Sequence, residues 1–186
     1  MPKNRKLLVE ELERKTIDEF KSSKKINVVI VLDNVRSALN VGSIFRTADA
    51  FLVKKIFLCG ITTTPKISLK EIHKTALGAE EAVDWEYVED TISVVQELKK
   101  DGYIIVSVEQ AEKKVLLHKF EPKANEKIAF VFGNEIKGVL QQVVDMSDIV
   151  LEIPQFGYKH SFNVSVSLGI VMWHYAYKTN MFEKKW

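Results

Sequence analysis

The sequence predicts an α/β fold, a mostly parallel sheet flanked by helices. Short apolar, β-branched runs recur along the chain, most of them followed by a segment of helical length and composition. Alternation of this kind builds parallel sheets covered by helices. The runs INVVIVLD and KIAFVF are apolar without interruption, as expected of strands buried on both faces. Three glycine-containing polar segments follow strand ends, the place where ligands bind in such sheets.

The elements follow in order. Residues 1 to 25 hold eight Lys/Arg and five Asp/Glu. Their apolar residues Leu7, Leu8, Leu12, Ile17 and Phe20 have the spacing of one helix face, so an amphipathic extension is expected. Ile26 to Asn34 is a buried strand ending in a turn, and Val41 to Phe51 is helical. KKIFLCG is a second strand that buries Cys59, and Ser68 to Leu77 is helix or loop. EAVDWEYV is strand-like, and Thr91 to Lys100 is a helix stopped by Asp101 and Gly102. YIIVSVE, KIAFVFGNE and DIVLEIP are three further strands, and Ser161 to about Met181 forms a closing helix. The expected division is an extension over 1–25, one domain over 26–181 and a tail over 182–186.

A length of 186 residues suits one domain with a real core. The net charge is only +2, so affinity for a polyanion has to come from local basic patches. The single cysteine rules out an intrachain disulfide. No apolar run reaches the ~20 residues of a membrane span, and MPKNRKLLVEELERK lacks the apolar core of a signal peptide. A cytoplasmic location without membrane contact is expected.

The polar segments are NVGSIFRTADAF (Asn40 to Phe51), FVFGNEIKGV (Phe130 to Val139) and IPQFGYKHSFNVSVSLGI (Ile153 to Ile170). Gly133 follows a strand, where a missing side chain admits a ligand to the backbone, or simply makes a turn capped by Asn134 and Glu135. Neither G-x-G-x-x-G nor G-x-x-x-x-G-K-[ST] occurs, and the acidic Glu135 suits a cationic or hydroxyl-bearing ligand better than a bare phosphate. Ser161 has the position of a helix cap. Asn163, among apolar residues, needs hydrogen-bond partners if buried. Arg46 reads from the pattern alone as a surface arginine of an amphipathic helix. His160 beside Ser161 suggests a hydrolase, but adjacent side chains diverge and no G-x-S-x-G elbow exists. His73, His118 and His174 have no ligand spacing, so no metal is expected. Trp173, Tyr175 and Tyr177 could stack bases, but read first as core or dimer-interface packing.

The three segments together resemble the SpoU/TrmH family of RNA ribose methyltransferases, within the SPOUT superfamily. The family motifs N-x-G-x-x-x-R-T-A, G-N/S-E-x-x-G and I-P-x-x-G-x-x-x-S-x-N-V-S are present in order, and the likeness covers about residues 26 to 180. It implies a deep C-terminal trefoil knot, with crossing loops near Gly133 to Gly138 and Ile153 to Ser161. It implies S-adenosylmethionine as methyl donor, RNA as partner and a homodimer with active sites near the subunit interface. The implied catalytic group is Arg46 with Asn40, Glu135, Ser161 and Asn163. The implied donor pocket is Ser107, Val108, Glu109, Phe132, Gly133, Asn134, Gly138, Ile153, Gln155, Ser161 and Phe162.

The implied reaction is attack of a ribose 2′-hydroxyl on the donor's methyl group. Guanidinium groups ordinarily titrate above ~12, so arginine is a poor base. Either Arg46 is deprotonated by a special environment, or it holds the neighbouring phosphate bidentately; positioning with electrostatic help is favoured. Asn40 would then orient Arg46 or the substrate. His73, Lys74 and Thr75 would border the RNA, and the basic extension would either contact it or pack on the body. The chain departs from the family at Gln155, where Met is common, at Phe162, where Leu is common, and at Ile136, where a small or polar residue is usual. These substitutions reshape the pocket and remove no catalytic candidate. A compact chain favours tRNA over rRNA. A protein that binds RNA without turnover, and an enzyme using a small nucleotide, are the alternatives.

Overall fold

The computed structural model describes all residues except 1–3, 9, 10, 13, 14 and 184–186. The parts of the expected extension and tail at those positions lie outside the described residues. Among the described residues the helices are α1 (Ile17–Ser22), α2 (Ala38–Ala50), α3 (Pro65–Ala76), α4 (Ala79–Ala82), α5 (Thr91–Lys100), α6 (Gln141–Met146) and α7 (Val164–Lys178). The strands are β1 (Val28–Asp33), β2 (Lys55–Cys59), β3 (Trp85–Val88), β4 (Ile104–Val108), β5 (Val115–Leu116), β6 (Ile128–Phe132) and β7 (Ile149–Glu152). They form one sheet in the order β3-β2-β1-β6-β4-β7-β5 with every neighbouring pair parallel.

Every residue of β1 is buried, as its unbroken apolar run requires. The pleat divides it between two cores. Val28, Ile30 and Leu32 join a core with α2, α3 and α7, through residues such as Phe45, Ile72 and Met172. Val29 and Val31 join a second core with Val94, Val95 and Leu98 of α5 and Val143 of α6. Helices therefore cover both faces. Asp33, fully buried at the end of β1, ties the layers: its carboxylate accepts from Thr91 Oγ1 at 2.7 Å and from Leu140 N–H at 2.8 Å.

Three expectations need correction. α-Helix in the N-terminal region is confined, among the described residues, to Ile17–Ser22, because a reciprocal Thr16–Glu19 capping box starts it there. Leu7, Leu8 and Leu12 are exposed rather than packed. Within EAVDWEYV the strand begins only at Trp85. The preceding residues form α4, stapled by the buried Glu80, which accepts from Gly78 N–H at 3.0 Å and meets His73 Nδ1 at 2.5 Å. The closing helix starts at Val164, and its cap is Asn163 rather than Ser161.

Helices α2 and α3 pack very closely at Gly42. A Cβ there would collide with Thr75 Oγ1 and the Ile72 carbonyl. Thr75 Oγ1 also donates to the Leu39 carbonyl at 2.9 Å across the same crossing. Gly42→Ala is therefore expected to cost about 1–3 kcal/mol through overpacking. The measurement is urea unfolding, with a lower midpoint and an unchanged slope.

Candidate active site

The three polar segments meet beyond the carboxyl ends of β1, β6, β4 and β7. The first comes from α2, whose start is fixed by Ser37 Oγ accepting from Asn40 N–H. The second is the turn after β6. Asn134 shapes that turn: its Oδ1 accepts from Ile136 N–H and Lys137 N–H, both at 3.0 Å, and its Nδ2 donates to the Asn34 carbonyl at 2.8 Å. Asn134 and Gly138 also exchange backbone hydrogen bonds of 3.0 and 2.9 Å, which closes the loop. Glu109 at the end of β4 accepts from Val139 N–H at 3.0 Å. At Gly133 a Cβ would strike the backbone of Gly138 and Val139. Its missing side chain thus makes room for the loop's own backbone, as the turn reading of the sequence requires, while Gly133 also lines the neighbouring cleft.

A chain of side-chain hydrogen bonds joins all three segments. Asn163 Nδ2 donates to Asn40 Oδ1 at 2.9 Å, and Asn40 Nδ2 donates to Glu135 Oε1 at 3.1 Å. Glu135 also accepts from Arg36 N–H at 3.3 Å and Ser37 N–H at 3.2 Å. Asn163 Oδ1 accepts from Ser165 N–H at 2.9 Å and its hydroxyl at 2.7 Å, so its amide orientation is set by the start of α7. Partial burial opposes ionisation of Glu135. The donors from its own backbone, Asn40, Ser37 and Arg36 outweigh that and hold its carboxyl below the ordinary glutamate range.

Beside this chain lies a cleft of about 390 Å³. Of the residues expected around a donor, Val108, Glu109, Phe132, Gly133, Asn134, Gly138, Ile153, Gln155, Ser161 and Phe162 line it, together with Glu135 and Asn163. Ser107 does not. It is fully buried on the opposite pleat of β4, where its hydroxyl lies 2.7 Å from that of Ser147. Asn40 sits behind the rim, bonded to Glu135 and Asn163 rather than to Arg46. Arg46 is exposed and lines a separate surface hollow with Ser43, Lys74, Thr75 and Trp173. Within one chain, therefore, Arg46 is not part of the cleft.

Sequence reasoning missed Gln110 and the backbone of His160 as parts of the cleft wall. Gln110 Nε2 donates to the His160 carbonyl, and Gln155 Nε2 donates to the same oxygen at 3.2 Å. The acceptor is a main-chain group fifty positions from Gln110, so no side-chain pattern announced it. Cys59 is no nucleophile: burial and the neighbouring Asp33 charge push its thiol up to about 12. Tyr175 is core, edge-on to Phe130, while Trp173 and Tyr177 are exposed. Lys74 is paired with Glu71 at 2.7 Å.

The model of the SpoU rRNA Methylase family matches residues 27–173. The chain belongs to this family. Its membership accounts for the three motifs meeting at one end of the sheet. An uncharacterized tRNA/rRNA methyltransferase of Borreliella burgdorferi is 28% identical over 184 residues, 97% of this chain and 77% of that protein. The 23S rRNA (guanosine-2′-O-)-methyltransferase RlmB of Neisseria meningitidis is 31% identical over 150 residues, 78% of this chain and 56% of that one. The present SpoU chain thus spans little more than half the length of that relative. Among solved structures, the AdoMet-bound rRNA methyltransferase of Sinorhizobium meliloti superposes with a TM-score of 0.74 at 25% identity, over 90% of this chain and 62% of that one. No helix of the described residues is long and apolar enough to cross a membrane.

Proposed function

We propose that this SpoU-family protein transfers a methyl group from S-adenosylmethionine to a ribose 2′-hydroxyl of structured RNA. The observation that carries the reading is the hydrogen-bonded chain from Ser165 through Asn163 and Asn40 to Glu135, set at the rim of a donor-sized cleft. Small-molecule sites occupy roughly 300–1,000 Å³, and this one lies in that range. Its lining suits the proposed donor. Phe132, Leu151 and Ile153 offer apolar contact for an adenine, and the backbone of the two flanking loops offers hydrogen bonds. Glu109 and Glu135 give an acidic side for a cationic ligand. The donor, when bound, supplies an electrophilic methyl group on a sulfonium.

The protein's own residues position the acceptor. Asn163 and Ser161, exposed at the rim, are placed to bind the target ribose and its phosphate. Ionised Glu135 fixes one end of the Asn40 amide, and Asn163, itself set by the start of α7, holds the other. Arg46 acts by holding the phosphate beside the target ribose and stabilising charge as the hydroxyl loses its proton. Because Arg46 points away from its own cleft, the reading includes a homodimer in which each arginine serves the partner's cleft. The insertion of β6 between β1 and β4, and of β7 between β4 and β5, supports a C-terminal trefoil knot. The reading places the protein in the cytoplasm. tRNA is the first substrate class to test.

The test is methyl transfer from labelled S-adenosylmethionine to unmodified total RNA, with nucleoside analysis and size fractionation. A labelled 2′-O-methylnucleoside in the tRNA fraction is expected. Absence of both transfer to any RNA and donor binding would instead favour an RNA-binding protein without turnover. A methylated base in place of a methylated ribose would refute the 2′-O assignment.

A further inference from the structure

The loop between Gln155 and Ser161 holds two of the most exposed aromatic side chains of the described residues. Phe156 is 98% exposed and Tyr158 90% exposed. Exposed apolar residues of this size at a site mark a contact surface. Several features specify its partner. The loop leaves the wall of the cleft at Gln155 and rejoins it at His160. Its return is anchored, because Gln110 and Gln155 both donate to the His160 carbonyl. The aromatic rings thus project from a braced base at the mouth of the site. Lysines stand on both loops of this mouth, while the acidic side of the cleft is formed by Glu109 and Glu135. Lys159 stands 5.5 Å from the Tyr158 ring centre, and exposed Lys137 lies on the facing loop beside Ile136, itself 88% exposed. The nearest acid of that loop, Glu135, is engaged by Asn40, Ser37 and Arg36.

Flat apolar rings flanked by lysines are the recognition chemistry of unpaired nucleotides, whose bases stack while their phosphates meet the cations. A duplex keeps its bases stacked on each other and offers none to the rings. We infer that Phe156 and Tyr158 form a stacking platform for an unpaired base next to the target nucleotide. The substrate site is then a loop or bulge of the RNA rather than a helix. This inference rests on the RNA-methyltransferase reading and adds the substrate's local structure to it.

The test measures binding of a short unstructured oligoribonucleotide and of a matched duplex to the full chain. The proteins are wild type, Phe156→Ala/Tyr158→Ala, Phe156→Leu/Tyr158→Leu and Phe156→Tyr. S-adenosylhomocysteine affinity and mass by light scattering are recorded in parallel. The expected result is tighter single-strand binding by wild type and about tenfold or greater loss in the alanine pair, since stacking accounts for about that factor per base. Leucine should fail to restore binding, and Phe156→Tyr should retain it. Equal single-strand binding by wild type and the alanine pair would overturn the inference, as would full retention by leucine, which marks a plain apolar contact. A change in mass alongside the loss would also overturn it and assign the tip to contact between copies. Absence of oligonucleotide binding in wild type overturns it too. In that case intact S-adenosylhomocysteine binding leaves the methyltransferase reading standing, and its loss removes that reading as well.

Discussion

Arg46→Ala and Val108→Trp chains, each inactive alone, are expected to recover methyl transfer when mixed and allowed to exchange subunits. If Arg46 holds the phosphate as proposed, Arg46→Ala should lower kcat/KM by about 10²–10³ while leaving donor affinity unchanged. Val108 lines the cleft at the end of β4, so a tryptophan there fills the donor's space. The rescue follows from the geometry of α2. Arg46 lies six residues beyond Asn40, which places it about 9 Å along the axis and about 120° around it. Asn40 bonds to Glu135 and Asn163 behind the rim of the cleft, whereas Arg46 lies in a hollow bordered by Trp173. A second hollow touching Arg46 includes Ile17, Leu77 and Phe182, all exposed. So much exposed apolar surface around a catalytic candidate is suited to a partner subunit. In a two-fold dimer one mixed pair contains one intact cleft facing one intact arginine. Random exchange makes half of the dimers mixed with one of two sites working, so recovery should approach about one quarter of wild type. No recovery after confirmed exchange would mean that Arg46 serves its own cleft. A stable monomer by light scattering would remove the dimer altogether.

The parts of the fold that depend on local pattern were legible, and those that depend on partners were not. Unbroken apolar runs such as VVIVLD and IAFVF identify doubly buried strands without reference to anything distant. Asp101 with Gly102 ends α5, the stop read in the sequence, and Asp90 caps its start. By contrast β5 is two residues long and exists only because Leu151 and Glu152 of β7 lie beside it. α4 depends on Glu80 being buried against Gly78 and His73, which no periodicity reveals. At the site, the motifs located Asn40, Glu135 and Asn163. They did not indicate that Asn40 would bridge the other two instead of orienting Arg46. Asn163 was expected to be a buried amide in search of partners. It is an exposed cap whose free Nδ2 extends the chain to Asn40. Side-chain identity thus marked the components, while their connections depended on the helix start and the folded-back loop.

Glu135→Gln and Asn40→Ala are each expected to lower kcat/KM by about 10²-fold or more, with the double variant little worse than either alone. The two residues act in series. Glu135 holds the Nδ2 face of Asn40, which leaves Oδ1 directed at Asn163. Either substitution interrupts the same connection from Glu135 through Asn40 to Asn163, so the second finds nothing left to disrupt. Effects that multiply would show that Asn40 and Glu135 work independently. The same network predicts a dependence of stability on pH. Glu135 is held below its ordinary range in the folded state, so it binds fewer protons there than in the unfolded chain. Its stabilising contribution is complete above the ordinary glutamate range and disappears as pH falls through the depressed value. Glu135→Gln should therefore lower Tm at neutral pH, with the difference from wild type closing in acid. A difference that stays constant down to acid pH would mean that the charge of Glu135 contributes nothing to the network. The two measurements converge on one atom. If the carboxylate matters because it polarises and fixes Asn40, activity and neutral-pH stability fall together in Glu135→Gln. If it acts directly on substrate, activity falls while the pH profile of Tm is unmoved.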